Sequence, residues 1–262
     1  MYDPLPPGPR APGLLQALRW STRALPFMER CQRRFGDLFT LRNFRGDPIV
    51  FVHHPEGIRE VMTADAESLR VSNLLLEPAL GSNSLLLLNG ARHRRERRLM
   101  SPPFHGQRMR LYAGLIHEVT TRALERATAG GRRELGLHPV FRDVSLDVIL
   151  RAVLGVPDAR LAEAAEILRE ATDSFTTPLV FIPPLQRDLG PASPGRRFQR
   201  ARRRVRTFLE GQIEARREAT GEHHDILSLL IAARDEHGEA MTTEEIRDEL
   251  MTLTVAGHET TA

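Results

Sequence analysis

Near the end of the sequence, Ala256-Gly257-His258-Glu259-Thr260-Thr261 places an acid, an alcohol and two small residues directly behind the apolar residues Leu250, Met251, Leu253 and Val255. A carboxylate in a dry interior is costly unless it is paired or functional. A threonine inside a helix can turn its hydroxyl to the carbonyl four residues back and loosen the ladder there. Gly257 has no side chain, so a flat ligand can approach the backbone. Glu259 and Thr260 together form an acid–alcohol pair of the kind that handles protons. A helix surfacing into solvent would also accommodate Glu and Thr, and these residues alone leave both readings open.

The second constellation is Arg92-His93-Arg94-Arg95-Glu96-Arg97-Arg98. On a helix, His93 and Arg97 are four apart and share one face, with about 6 Å between them. That donor pair suits a buried carboxylate, which the arginine fork can bind bidentately. Arg94, Arg95 and Arg98 then project elsewhere as a basic patch, and a solvated basic helix is the plain alternative. Gly195 to Arg206 is denser in arginine but has only Phe198 as an aromatic, so it reads as a solvated face rather than a nucleic-acid module. His258-Glu259 resembles the start of a zinc-protease helix, but the second histidine that site requires is replaced by Ala262. No metal-ligand set emerges. The pairs His53-His54 and His223-His224 read as surface histidines.

Composition narrows the chemistry further. All 37 basic residues are arginine against 34 acids, so the net charge is only +3. Without lysine there is no phosphate-loop lysine and no Schiff base. The single cysteine, Cys31, cannot form an internal disulfide, which fits a reducing compartment. It reads as a small packed or half-exposed thiol. Met1 to Arg10 lacks the plan of a signal peptide, and no run approaches a membrane span. The expectation is a cytoplasmic protein with no integral membrane segment and no nucleic-acid partner.

The elements that must position these residues follow from local signals. Five prolines in the first dozen residues make 1–13 an extended leader. Leu38–Leu41 and Ile49–Val52 are strands joined by a turn at Gly46-Asp47-Pro48, within a small β-region over 36–54. Pro55 opens a helix that runs to about Ala64. From about 91 to 262 the chain reads as helical. Phe141 to Ala152 is one helix, stopped by Gly155 and Pro157, and Asp225 caps Ile226 to Arg234, with Gly238 as terminator. Phe175 to Pro194 is proline-punctuated and reads as a lid or binding loop. Thr242 and Glu245 make a capping box, with Met241 and Ile246 as its hydrophobic staple. The charged turns from Glu244 to Glu249 are expected to be exposed.

In combination and in this order, the two constellations resemble the cytochrome P-450 (haem-thiolate monooxygenase) family. Residues 256–261 are similar to its central-helix signature, and Gly90 to Arg97, with Pro102-Pro103-Phe104 behind, to its haem-propionate helix. Phe35-Gly36-Asp37-Leu38-Phe39 and Pro6-Pro7-Gly8-Pro9 are similar to its opening. The resemblance implies a mainly α (α+β) fold forming the N-terminal portion of a single domain, truncated in or just after the central helix. It implies a haem cofactor, with His93 and Arg97 on a propionate. It places Ala256 and Gly257 over the haem face and gives Glu259 and Thr260 the proton handling. Residues 74–89 and 175–194 fall where the family lines and lids its substrate pocket. The implied reaction inserts one atom of O2 into a small apolar substrate, with NAD(P)H electrons delivered by a ferredoxin or flavodoxin-type donor docked on exposed arginines. The axial cysteine loop is absent from this chain, and Cys31 lies in the wrong context to replace it, so the chain is expected to be inactive alone. The alternative from another class is a non-catalytic helical remnant that binds partners through its arginine-rich faces.

Overall fold

The computed structural model describes residues 5–43, 46–65, 69–70, 76–129, 134–175, 186–190, 192–221 and 223–261. The chain divides into two compact units, 1–69 and 70–262.

In the first unit, α1 (Gly13–Phe35) precedes strands β1 (Leu38–Arg42) and β2 (Pro48–Val52) and helix α2 (Pro55–Thr63). The strands form the expected antiparallel hairpin, with Phe39 opposite Phe51. The leader is tied to β1, because the Thr40 amide donates to the Pro7 carbonyl at 3.0 Å. Gln16 is 1% exposed and secures that arrangement. Its Nε2 donates to the carbonyls of Pro9 and Ala11, and its Oε1 accepts the Arg42 amide. Helix α1 has no counterpart among the sequence expectations. Its signal is interrupted by Pro26 and by a kink at Arg23 with φ −147° and ψ 58°, because a proline ring clashes with the carbonyl four residues back. Cys31 is buried with Phe27, Phe39 and Leu41.

The second unit carries the candidate site. Its helices are α3 (Glu77–Leu80), α4 (Gly90–Met100), α5 (Gln107–Thr128), α6 (Leu137–Val148), α7 (Leu161–Phe175), α8 (Pro194–Glu218), α9 (Ile226–Ala232) and α10 (Thr243–Thr261). Helix α6 runs on into a π-turn over Ile149–Val153 before Gly155. The described residues contain only the β1–β2 sheet, and the architecture is mainly helical as expected. None of the described helices is long and apolar enough to cross a membrane. The core gathers Leu146, Leu150, Leu154, Leu168, Leu209, Ile213, Leu227, Leu230, Ile246 and Leu250. Helices α7 and α8 run antiparallel. Phe175 meets Phe198 edge-on at 5.4 Å, while Arg204 further along α8 reaches back to Glu166 and Glu170.

Helix α10 packs against α3, α6, α8, α9 and the π-turn. Its capping box forms as the sequence indicates. Thr242 N–H donates to Glu245 Oε2 at 2.8 Å, and Glu245 N–H donates to Thr242 Oγ1 at 3.1 Å. A cap of this kind contributes roughly 1 kcal/mol. Met241 and Ile246 are both buried. Two local expectations are corrected. Helix α9 ends at Ala232, and Gly238 instead closes a short turn whose ends bridge at Arg234 and Ala240. The first turns of α10 are not a solvated face: Asp248 is 3% and Glu249 0% exposed. Of the Phe175–Pro194 connection, residues 176–185 and 191 lie outside the described residues, as do 74 and 75 of the expected pocket lining.

Candidate functional site

Helix α4 forms because its arginines and glutamate are good helix formers with no β-branched residue among them, and it ends before Pro102. One side turns inward through Glu96, Leu99 and Met100, all buried. Most of the expected basic patch is neutralised. Arg95 donates to Asp235 at 2.6 Å and to Glu96 at 2.5 Å, and it lies 3.5 Å from Glu245. Arg98 pairs with Glu236 at 2.5 Å, and Arg92 reaches Glu245 at 3.8 Å and Asn83 at 2.5 Å. Helix α4 is thereby fastened to the turn before α10 and to the first turn of α10. The Arg95 hydrogen bond holds the Asp235 carboxyl down to about 2.

His93 and Arg97 are the exceptions on this helix. His93 is half-buried and Arg97 exposed. They sit four apart on one face, and among the described residues neither side chain has an acidic partner. Two donors without a carboxylate among the described residues, on a helix whose Arg92, Arg95 and Arg98 each have one, fit the anionic group of a bound ligand.

On α10, Thr260 behaves as its position in a helix suggests. Its hydroxyl donates to the Ala256 carbonyl at 2.5 Å, and both residues are exposed, so the two share an open face. Gly257 does not share it. A side chain there would point at Ile149 of the π-turn, 3.4 Å from its Cδ1. Gly257 therefore faces the π-turn and not the open side, because one step along a helix turns the side-chain direction by about 100°, and a methyl there would make only an ordinary van der Waals contact with Ile149. Glu259 belongs to α10, but its side chain lies outside the described residues.

His258, next in sequence to Gly257, is 1% exposed. Its Nδ1 is 2.8 Å from Ser145 Oγ of α6. Ser145 Oγ also lies 3.0 Å from the Arg142 carbonyl. The serine–histidine hydrogen bond is buried between α6 and α10, away from the open face of α10, and the contact is an anchor.

The segment 81–89 is pinned to α10 by groups the sequence reading passed over. Asp248 Oδ2 accepts from the Asn83 amide at 3.1 Å and from Asn83 Nδ2 at 2.8 Å. Thr252 Oγ1 lies 2.7 Å from Ser84 Oγ, and Ser84 is itself fully buried. Gly81, at φ +89°, brings the chain against the Asp248 carboxyl, where any Cβ would collide. The signal for these groups was a helical one. Glu245, Glu249, Thr252 and Ala256 recur at steps of four, three and four, which is a single stripe on α10.

These features define a helical protein with a long central helix, interrupted in character by threonines and a glycine, and a separate arginine helix that presents an unpaired donor pair. A family model described as cytochrome P450 matches residues 5–262, and the chain belongs to that family. It is 34% identical over 260 residues to cytochrome P450 138 of Mycobacterium tuberculosis, covering 98% of this chain and 58% of that one. It is 35% identical over 268 residues to cytochrome P450 135B1 of the same organism, covering 98% and 55%. The chain spans little more than half the length of these curated relatives. Among solved structures, the retinoic acid-bound cyanobacterial CYP120A1 matches with a TM-score of 0.82 at 25% identity, over 99% of this chain and 58% of that one. The cofactor of the family is a haem iron, and the donor pair on α4 suits the carboxylates that such a group carries.

Proposed function

We propose that this chain supplies the propionate-holding helix and the oxygen-side helix of a haem-dependent monooxygenase. The observation that carries this reading is the contrast along α4. Arg92, Arg95 and Arg98 have acidic partners, whereas His93 and Arg97 have none among the described residues. When bound, the haem supplies an iron able to activate O2 for insertion into an apolar substrate. His93 and Arg97 hold a propionate through charge-assisted hydrogen bonds, the fork of Arg97 taking both oxygens. Ala256, a methyl on the open face of α10, leaves room for ligand and substrate. The Thr260 hydroxyl, which donates to the Ala256 carbonyl, and Glu259, next to it in the sequence, form the acid–alcohol pair that would hold protons on this side of the site.

Electrons would come from NAD(P)H through a ferredoxin or flavodoxin-type carrier in the cytoplasm. The chain alone would be inactive, since its only cysteine is Cys31, buried in the first unit.

The test is haem retention in a protein that joins this chain to the C-terminal portion of a relative. Arg97→Ala should lose more haem per polypeptide after gel filtration than Arg94→Ala. A desolvated charge-assisted bond contributes about 2–3 kcal/mol, against under about 1 kcal/mol for an exposed ion pair. Equal loss in the two variants would remove Arg97 from the propionate.

A further inference from the structure

Glu96 of α4 and Glu249 of α10 are both completely buried, at 0% exposure. Arg95 reaches only Oε1 of Glu96, at 2.5 Å. Oε2 of Glu96 has no hydrogen-bond partner among the described residues, and neither oxygen of Glu249 receives a well-aligned one: the donors near it are the Leu85 amide and the Thr252 hydroxyl, whose proton goes to the Asp248 carbonyl. Arg92 and Arg95 of α4 also reach Glu245, one turn before Glu249 on α10, and two buried carboxylates, which can only accept, are costly with so few donors if both are ionised. A single proton relieves the conflict. Arg95 makes Glu96 the natural anion, and Glu249, with no cation against it, is the natural acid.

We propose that Glu249 is a positioning residue which, as an uncharged acid, forms with Glu96 and Arg95 a clasp seating α4 on α10, and that its ionisation opens the clasp. The charged groups around the pair are Arg92 and Arg95 from α4, Glu245, Arg247 and Asp248 from α10, and Asp235 from the preceding turn. Arg247 is itself held by Asp248 and by Glu210 of α8, and α3 carries only the exposed Glu77. Segment 81–89 contains no titratable side chain. Burial pushes Glu249 up to about 8, the charge of Glu96 adds to this, and the Leu85 amide opposes it. Burial also raises Glu96, with the charge of Glu245 adding and Arg95 opposing. Glu249 thus keeps a proton in the folded state that the unfolded chain releases near 4.5. Its contribution to stability falls as pH rises from that value toward 8, then levels off.

The clasp belongs to this chain alone and does not depend on the haem reading, so the two fail separately. The experiment compares urea unfolding of the 262-residue chain, Glu249→Gln and Glu96→Gln from pH 5 to 9. Wild type should lose up to about tenfold in folding equilibrium per pH unit relative to Glu249→Gln between pH 5 and 8. Amides of α4 and of residues 83–89 should lose exchange protection, corrected for intrinsic rate, between pH 7 and 9 in wild type but not in Glu249→Gln. Infrared spectra of wild type should show a protonated-carboxyl carbonyl band at pH 7 that is gone by pH 9.5, a readout that needs no variant. Parallel pH profiles for wild type and Glu249→Gln, or no such band at pH 7, would overturn the proposal. So would a profile flattened by Glu96→Gln instead, because the proton would then reside on the wrong acid.

Discussion

Ser145 Oγ and His258 Nδ1, 113 residues apart, share a buried hydrogen bond of 2.8 Å inside the second unit. This contact fixes the register of α10 against α6 one residue beyond Gly257, which faces Ile149 of the π-turn. Rotation of α10 about its axis would break both contacts, and with them the outward presentation of Ala256 and Thr260.

Replacing Ser145 with alanine should therefore destabilise the chain by about 1–3 kcal/mol, the cost of a buried polar group left without its partner. Ser21→Ala, on an exposed hydroxyl bonded only to the Ala17 carbonyl, should stay within roughly 0.5 kcal/mol. Urea midpoints for the two variants make the comparison. Equal midpoints would mean that the anchor contributes nothing.

Gly81 and Gly238 separate backbone strain from collision. Both have positive φ, +89° and +81°, but only Gly81 faces a buried carboxyl, whereas a Cβ at Gly238 meets nothing within 4 Å. Gly238→Ala should cost about 1–2 kcal/mol for the left-handed backbone. Gly81→Ala should cost more, and should also release Asn83 from Asp248. Loss of exchange protection at the Asn83 amide in that variant alone is the expected signature.

Purified with haem added, residues 1–262 should show no thiolate-type band in a reduced carbon monoxide difference spectrum. Cys31 is 3% exposed, burial raises its thiol, and it is packed among Phe27, Phe39 and Leu41. A thiolate ligand is what supports O–O cleavage in this family. A clear thiolate band would contradict the structural role assigned to Cys31.

Thr260 and Thr261 test the proton-handling role, again in a protein joined to a relative's C-terminal portion. Thr260→Ala should leave haem content and substrate binding nearly unchanged while peroxide replaces hydroxylated product. Thr261→Ala should disturb coupling much less, its side chain being turned by about 100°. The measurement is product and peroxide per NAD(P)H oxidised. If only Thr261→Ala uncouples, the register of the signature is off by one.

The amino-acid sequence by itself determined whatever is settled within a few residues. The β1–β2 hairpin, the Pro55 start of α2, the Asp225 cap and the Thr242–Glu245 box all form as read, because turn chemistry and capping are local interactions. The spacing of His93 and Arg97, and of Ala256 and Thr260, is equally local, as helix geometry alone aligns residues four apart. Only the tertiary structure decided which charges are buried and which way each face turns. Glu249 and Asp248 look like an exposed acidic turn in sequence, yet segment 81–89 covers Asp248 with Asn83, and Glu249 is fully buried. Arg95 and Arg98 look like a free basic patch until Asp235 and Glu236, about 140 residues later, arrive beside them. Gly257 and Ala256 are neighbours of similar size, and only the position of Ile149 shows that one faces the π-turn while the other stays open. Burial and pairing depend on residues distant in the chain, and no local pattern encodes where those residues will be.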